Sequence, residues 1–137
     1  ISSVARACLV ATAALSCETS HDAVAPRLCE CGDESEQRRG TACLCCHAED
    51  FGVAGSVDRA GPAVTRLVVR APNGDTADMA PNPFGNFFRR LRLEGPLDVT
   101  VYGPDGGASR MPLPAPHGDC NACHREGGEA APVRGPR

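Results

Sequence analysis

Two pentapeptides in this sequence have the residue types and the spacing needed to hold a haem. Residues 43–47 read Cys-Leu-Cys-Cys-His and residues 120–124 read Cys-Asn-Ala-Cys-His, so both fit C-x-x-C-H. This pattern is the attachment signature of a c-type haem, in which the two thiols bond to one edge of the porphyrin. The histidine that follows then reaches the iron as its proximal ligand. The sequence therefore predicts two covalently attached haem c groups, held by Cys43, Cys46, His47, Cys120, Cys123 and His124.

The histidine count agrees with two haems. The chain has four histidines, of which two close the motifs and the others are His21 and His117. Two irons with two imidazole ligands each use all four, so His21 and His117 are predicted as the distal iron ligands. Methionine is the alternative sixth ligand, and Met79 or Met111 would provide it.

Length and composition indicate one small domain whose core is completed by its cofactors. The chain has 137 residues, with no tryptophan, one tyrosine and four phenylalanines. Two porphyrins would add the apolar volume that these side chains do not supply. The net charge is −3 and the basic residues are scattered, so we expect no nucleic-acid binding.

Nine cysteines in a chain of this length indicate an oxidising compartment. We therefore expect an exported protein, either extracellular or at the cell surface, with the periplasm as the alternative. The haem motifs use four cysteines and leave an odd number, so at least one is unpaired, lipidated or bonded to another chain. A zinc site is the competing interpretation, and its ligands would be Cys29, Cys31, Cys43 and Cys46.

The first 17 residues admit two interpretations. Their apolar run ends at Cys17, which resembles an export signal with a lipoprotein cleavage cysteine. The alternative is a short retained helix rich in alanine. The apolar run is too short to span a membrane, so we expect membrane contact only if Cys17 is lipidated.

The middle of the chain reads as short β-strands separated by turns. Apolar and polar residues alternate along 91–93 and 97–101, which is typical of half-buried antiparallel strands. We predict a mainly β fold, namely a small antiparallel β-sandwich flanked by irregular haem-binding segments and a short N-terminal helix.

The predicted strands are 53–57, 64–70, 87–93 and 97–102. The predicted organisation is an N-terminal arm and cysteine-containing loop (1–42), the first haem-binding motif (43–50), the β-sandwich (51–116), the second haem-binding motif (117–124) and a flexible tail (125–137).

The strand pattern resembles the carboxypeptidase regulatory-like, transthyretin-like β-sandwich. The likeness is carried by residues 51–57, 64–69, 85–88 and 97–101. That family is a structural and adhesive module, so the resemblance implies no catalytic residue. With a C-x-x-C-H motif on each side of the sandwich, the whole chain is similar to small di-haem c-type cytochromes and to extracellular multihaem cytochromes.

Electron transfer is the predicted function, because two axial ligands leave the iron no open position for a substrate. We expect other redox proteins as partners and no enzymatic activity. The alternatives are a di-haem peroxidase or haem sensor, which needs an open iron position, and a zinc-stapled structural or adhesive β-sandwich. We also expect a homo-polymer formed through haem–haem contacts, in which His117 ligates the haem of Cys43 and Cys46. His21 would then ligate the second haem, from a neighbouring subunit in an open filament.

Overall fold

The computed structural model describes residues 52–137, which form six strands and one short helix. The strands are β1 (Val53–Ser56), β2 (Arg66–Arg70), β3 (Thr76–Met79), β4 (Asn86–Arg89), β5 (Asp98–Tyr102) and β6 (Ala108–Arg110), and the helix is α1 (Cys120–Cys123). The predictions for the N-terminal helix, the first haem motif and His21 lie outside the described residues.

All strand pairs are antiparallel, and they form two sheets. β1 pairs with β4, whereas the other sheet has the order β3-β2-β5-β6. In the larger sheet Leu67 of β2 lies opposite Met79 on one side and Val101 on the other. The prediction of a mainly β, antiparallel fold is confirmed for this part of the chain.

One hydrophobic core receives side chains from both sheets. Val53 of β1 and Phe87 of β4 pack in the same cluster as Leu67 and Val69 of β2. In β2 the two ends are exposed and the three central residues are buried, as expected for the middle strand of a sheet rich in β-branched residues. Burial of these apolar side chains is the main stabilising contribution.

Two turns of the larger sheet each have a glycine where the backbone needs a positive φ. Gly74, between β2 and β3, has φ +94°, and Asn73 Oδ1 accepts a 3.0 Å hydrogen bond from the Asp75 amide. Gly106, between β5 and β6, has φ +81°. Residues other than glycine adopt this conformation at a cost, so these glycines fix the two hairpins.

The strand predicted over 87–93 is wrong in its second half. β4 ends at Arg89, which pairs with Val53, the first residue of β1. Beyond that point Leu91 is 43% exposed, so its alternation with Leu93 does not mark a strand. β3 and β6 were not predicted, because β3 has few apolar residues and β6 is exposed along its whole length.

The outward face of the larger sheet carries cross-strand ion pairs. Arg66 Nε donates to Asp78 Oδ1 at 2.8 Å, and Arg110 Nε donates to Asp98 Oδ1 at 2.6 Å. The hydrogen bond from Arg66 lowers the pKa of Asp78 below its ordinary value. Such solvent-exposed pairs contribute little to stability, and this face has the composition of a solvated surface.

The C-terminal segment 125–137, predicted as a flexible tail, lies against the β1 end of the fold. Val133 forms a parallel bridge with Val57 and packs against the core. Arg134 Nε lies 2.8 Å from Asp58 Oδ2, and the Gly135 amide donates to Pro62 O at 2.8 Å. The prediction of a flexible tail relied on the low apolar content of the segment and did not include these contacts.

Phe87→Ala tests the core, with the adjacent residue as control. The Phe87 side chain is 1% exposed, and its loss should lower the free energy of unfolding by about 3–5 kcal/mol. Phe88→Ala removes the same ring from the opposite face of β4, where it is 45% exposed, and should cost about 1 kcal/mol or less. Urea unfolding of both variants measures the difference. Equal losses would contradict this assignment of the β4 faces.

Candidate functional site

The second C-x-x-C-H motif folds as a single helical turn followed by its histidine. α1 comprises Cys120–Cys123, and the His124 amide donates to the Cys120 carbonyl at 2.8 Å. Residues three apart in a helix lie on the same side, so the two cysteines share one side of this turn. The local fold thus presents both thiol positions and the histidine as one unit.

This unit closes the edge of β1 that does not face β4. Three alternate backbone amides along that edge, those of Ala54, Ser56 and Asp58, have partners. They donate to the Gly118 carbonyl at 3.0 Å, to Asn121 Oδ1 at 2.9 Å and to the Val133 carbonyl at 2.7 Å. Alternate amides of a strand point to the same edge, so the motif and the tail satisfy this edge together.

Asn121, between the two cysteines, is the polar anchor of the motif. Its side chain is 0% exposed. In addition to accepting from the Ser56 amide, Asn121 Nδ2 donates to Ser56 Oγ at 3.0 Å, and Ser56 Oγ donates to Asn86 Oδ1 at 2.7 Å. Buried polar groups of this kind stabilise a fold only when they are hydrogen-bonded. The chain Asn121–Ser56–Asn86 therefore ties the motif to both strands of the smaller sheet.

Two glycines allow the motif to approach β1 closely. A Cβ atom on Gly55 would lie 2.8 Å from Cys120 Cβ, and one on Gly118 would collide with the Gly52 carbonyl oxygen. At Gly55 the added atom would also lie 2.5 Å from the Phe87 ring, so a larger residue at either position would force its neighbours to move.

The two thiol positions are in different environments. Cys120 is half-buried, packs against the core and is not disulfide-bonded. Cys123 is 7% exposed and is disulfide-bonded. Because Cys120 is the only other cysteine in 52–137, the partner of Cys123 lies outside the described residues. A disulfide and a haem thioether are alternative states of the same sulfur, so Cys123 must be reduced before it can bond to a porphyrin.

The His124 ring forms a hydrogen bond through Nδ1. Its Nδ1 lies 2.7 Å from the Ala131 carbonyl oxygen. A carbonyl oxygen only accepts, so Nδ1 carries the proton and Nε2 of the neutral ring has a lone pair. Metal-ligating histidines typically donate their second ring nitrogen to a carbonyl or carboxylate in this way.

In the His117 ring, Nδ1 is an acceptor instead of a donor. Its ring is half-buried, and its Nδ1 accepts a 3.2 Å hydrogen bond from the Asp119 amide. Nε2 of the neutral ring therefore carries the proton. To ligate iron through Nε2, His117 must exchange this hydrogen bond for one in which Nδ1 donates.

Arg125 completes the C-terminal end of α1. Its guanidinium Nη1 donates to the Ala122 carbonyl at 2.7 Å and to the Asn121 carbonyl at 3.3 Å. These carbonyls lack helical partners because the helix ends, and a cation is favourable at that end. Arg125 thus holds the helical turn in the conformation from which His124 projects.

Half of the predicted haem ligands and thiols belong to the described region. Cys120, Cys123, His124 and His117 lie within eight residues of chain, beside β1. Cys43, Cys46, His47 and His21 lie outside the described residues, as do the cysteines of the alternative zinc site. Of the alternative methionines, Met79 is buried in the core on β3, and Met111 is half-buried directly after β6.

Sequence reasoning missed three groups at this site: Asn121, Ser56 and the Ala131 carbonyl. Asn121 occupies a variable position of the motif, and nothing in the pattern C-x-x-C-H distinguishes it from a solvent-facing residue. A backbone carbonyl has no signature in the sequence at all.

Within residues 52–137 no group of three or more His, Cys, Asp or Glu side chains is arranged to hold a metal ion. In the same range, no helix has the length and hydrophobicity needed to cross a membrane.

Comparison with protein-family models, curated proteins and solved structures finds no match to the chain. The resemblance to the carboxypeptidase regulatory-like sandwich therefore rests on the sequence pattern alone.

Asn121→Ala should destabilise the domain by about 2–3 kcal/mol, because it leaves the buried Ser56 amide and hydroxyl without these partners. Asn73→Ala is the matched control. Asn73 also accepts a backbone hydrogen bond but is exposed, so its loss should cost about 1 kcal/mol or less. Urea unfolding measures both. A smaller loss at Asn121 than at Asn73 would show that the motif is not anchored through this amide.

Proposed function

We propose that this chain is a di-haem c-type cytochrome that transfers electrons and is not an enzyme. The observation that carries the proposal is the His124 ring, whose Nδ1 donates to the Ala131 carbonyl at 2.7 Å and leaves the Nε2 lone pair available. This is the tautomer that an iron ligand needs. It occurs at the histidine that the C-x-x-C-H pattern assigns to iron.

The described residues fit one haem once Cys123 is reduced. Cys120 and Cys123 would bond to the porphyrin edge, and His124 would ligate the iron. Bound haem supplies a one-electron Fe(III)/Fe(II) couple. The protein residues orient the proximal imidazole, and Asn121 and Arg125 keep the attachment turn fixed. The second haem belongs to Cys43, Cys46 and His47, with His21 and His117 as distal ligands.

We assign the two sheets to a small β-sandwich, supported by the single core that Val53 and Phe87 share with Leu67 and Val69. The sandwich carries no chemistry of its own and serves as the rigid support on which the second motif is mounted.

Export and assembly remain predictions. Covalent haem attachment and a cysteine-rich chain suit the periplasm, the cell surface or the extracellular space, with other redox proteins as partners. A homo-polymer, in which His21 of one subunit ligates the second haem of the next, extends this function to a filament. Protein that stays monomeric at high concentration with both haems low-spin would exclude that assembly.

One observation favours a second candidate, a disulfide-stapled structural module without haem. Cys123 is disulfide-bonded, and disulfides commonly stabilise small domains of exported proteins. The two candidates differ in colour and mass, since only the cytochrome has a Soret band and a covalent haem adduct.

Replacing the thiols tests the number of haems. The native chain should carry two covalent haems by intact mass and by the pyridine haemochrome spectrum. Cys120→Ala combined with Cys123→Ala should remove one haem and leave the other. Cys43→Ala combined with Cys46→Ala is the reciprocal control. A native chain with no Soret band, or a double variant that retains both haems, would refute the cytochrome assignment.

His117→Ala tests the distal ligand. With imidazole on both sides, each oxidised haem should be low-spin, and loss of His117 should make one haem high-spin and able to bind carbon monoxide. Met111→Leu is the control for the alternative methionine ligand and should leave the spectrum unchanged. Absorption and electron paramagnetic resonance spectra of the two variants distinguish the ligands. A spectral change in Met111→Leu alone would reverse the assignment.

A further inference from the structure

The C-terminal segment supplies the hydrogen-bond partner of the His124 ring, because the Ala131 carbonyl oxygen lies 2.7 Å from Nδ1. The bond is solvent-exposed, so water competes for both partners. A persistent hydrogen bond there requires that the Ala131 carbonyl be held in position by other contacts.

Those contacts lie on both sides of Ala131 in the chain. Before it, the Ala130 amide donates to the Cys123 carbonyl at 3.0 Å, so the segment returns directly to the end of α1. After it, the Val133 carbonyl accepts from the Asp58 amide at 2.7 Å. Backbone hydrogen bonds therefore restrain the chain on both sides of Ala131, at Ala130 and at Val133.

Two side chains add to this restraint. Arg134 Nε lies 2.8 Å from Asp58 Oδ2, and the Asp58 side chain is only 18% exposed. Pro132 follows Ala131 directly, and a residue before proline is confined to extended ψ values. Because ψ of Ala131 sets the direction of its carbonyl, Pro132 limits where that oxygen can point.

We propose that residues 130–134 form a positioning segment for His124. Pro132 and Arg134 aim the Ala131 carbonyl at Nδ1, fix the imidazole in the tautomer with a proton on Nδ1, and thereby set the reduction potential of the haem that His124 ligates. This inference rests on the proposed haem function. It assigns a role to the tail, which the C-x-x-C-H motif does not include.

The physical effect has a defined direction. A hydrogen bond from Nδ1 to a carbonyl makes the imidazole a stronger electron donor. A stronger donor stabilises Fe(III) more than Fe(II), so the potential is lower with the bond than without it. Loosening the Ala131 carbonyl should raise the potential of the haem attached through Cys120 and Cys123, and should leave the other haem unchanged.

Two variants of the 137-residue chain test this with different chemistry. Pro132→Gly frees ψ of Ala131, and Arg134→Gln removes the ion pair with Asp58. The matched controls are Pro114→Gly, at an exposed proline outside the tail, and Arg110→Gln, which removes the ion pair with Asp98 on the larger sheet. All four variants retain both thiol pairs and all four histidines.

The first measurement is the reduction potential of each haem by spectroelectrochemical titration. At a fixed ambient potential, the Fe(III)/Fe(II) ratio of one haem should fall on the order of tenfold in Pro132→Gly and Arg134→Gln, a shift of about 59 mV for a one-electron couple. The controls should match the native chain. Equal potentials in the tail variants and controls would overturn the proposal.

The second measurement does not require haem. Nitrogen-15 chemical shifts of His124 in the haem-free chain report which ring nitrogen carries the proton. The native chain and both controls should have the proton on Nδ1, and the tail variants should have a mixture of tautomers. A native ring with its proton on Nε2, or tail variants identical to the native chain, would also overturn the proposal. If the native chain carries no haem, the proposed function fails separately, and the nitrogen shifts still decide whether the tail positions His124.

Discussion

The pairing at the outer edge of β1 is the constraint on which the described structure depends. An unpaired strand edge presents amides and carbonyls that must find partners. Here the amides of Ala54, Ser56 and Asp58 use the Gly118 carbonyl, the Asn121 side chain and the Val133 carbonyl. The partners come from three separate parts of the C-terminal region. One strand edge thus fixes the positions of Gly118 before α1, Asn121 within α1 and Val133 in the C-terminal segment.

That arrangement explains how a helix of only four residues is kept in place. A single helical turn is not stable alone, since nucleation is unfavourable. α1 is stabilised from outside, by the buried amide of Asn121 on one side and by Arg125 at its C-terminal end. His124 follows this turn directly, so the direction of its imidazole depends on the contacts of Asn121 and Arg125 that hold the turn.

The turns of the two hairpins and the second C-x-x-C-H motif have local signatures in the sequence. Asn-Gly-Asp at 73–75 and Gly-Gly at 106–107 encode turns through the conformational freedom of glycine. β3 and β6 lack such a signature, because Thr76–Met79 and Ala108–Arg110 become strands only by pairing with β2 and β5. The contacts of Asn121 and Val133 with β1 are also non-local, and a pattern of residue types along the chain does not encode them.

The segment around α1 combines two features, the disulfide at Cys123 and the tautomer of His124 with its proton on Nδ1. The disulfide uses a sulfur that the proposed haem attachment would need, whereas the His124–Ala131 hydrogen bond already leaves the proton on Nδ1, as the proposed iron ligation requires. The second feature does not depend on the first, since it is fixed by the tail and by the backbone of α1. Reduction of Cys123 would therefore change one bond without removing the amide partners of β1. Asn121 and Val133 bind β1 through a side-chain amide and a backbone carbonyl, so these contacts do not use the sulfur of Cys120 or Cys123.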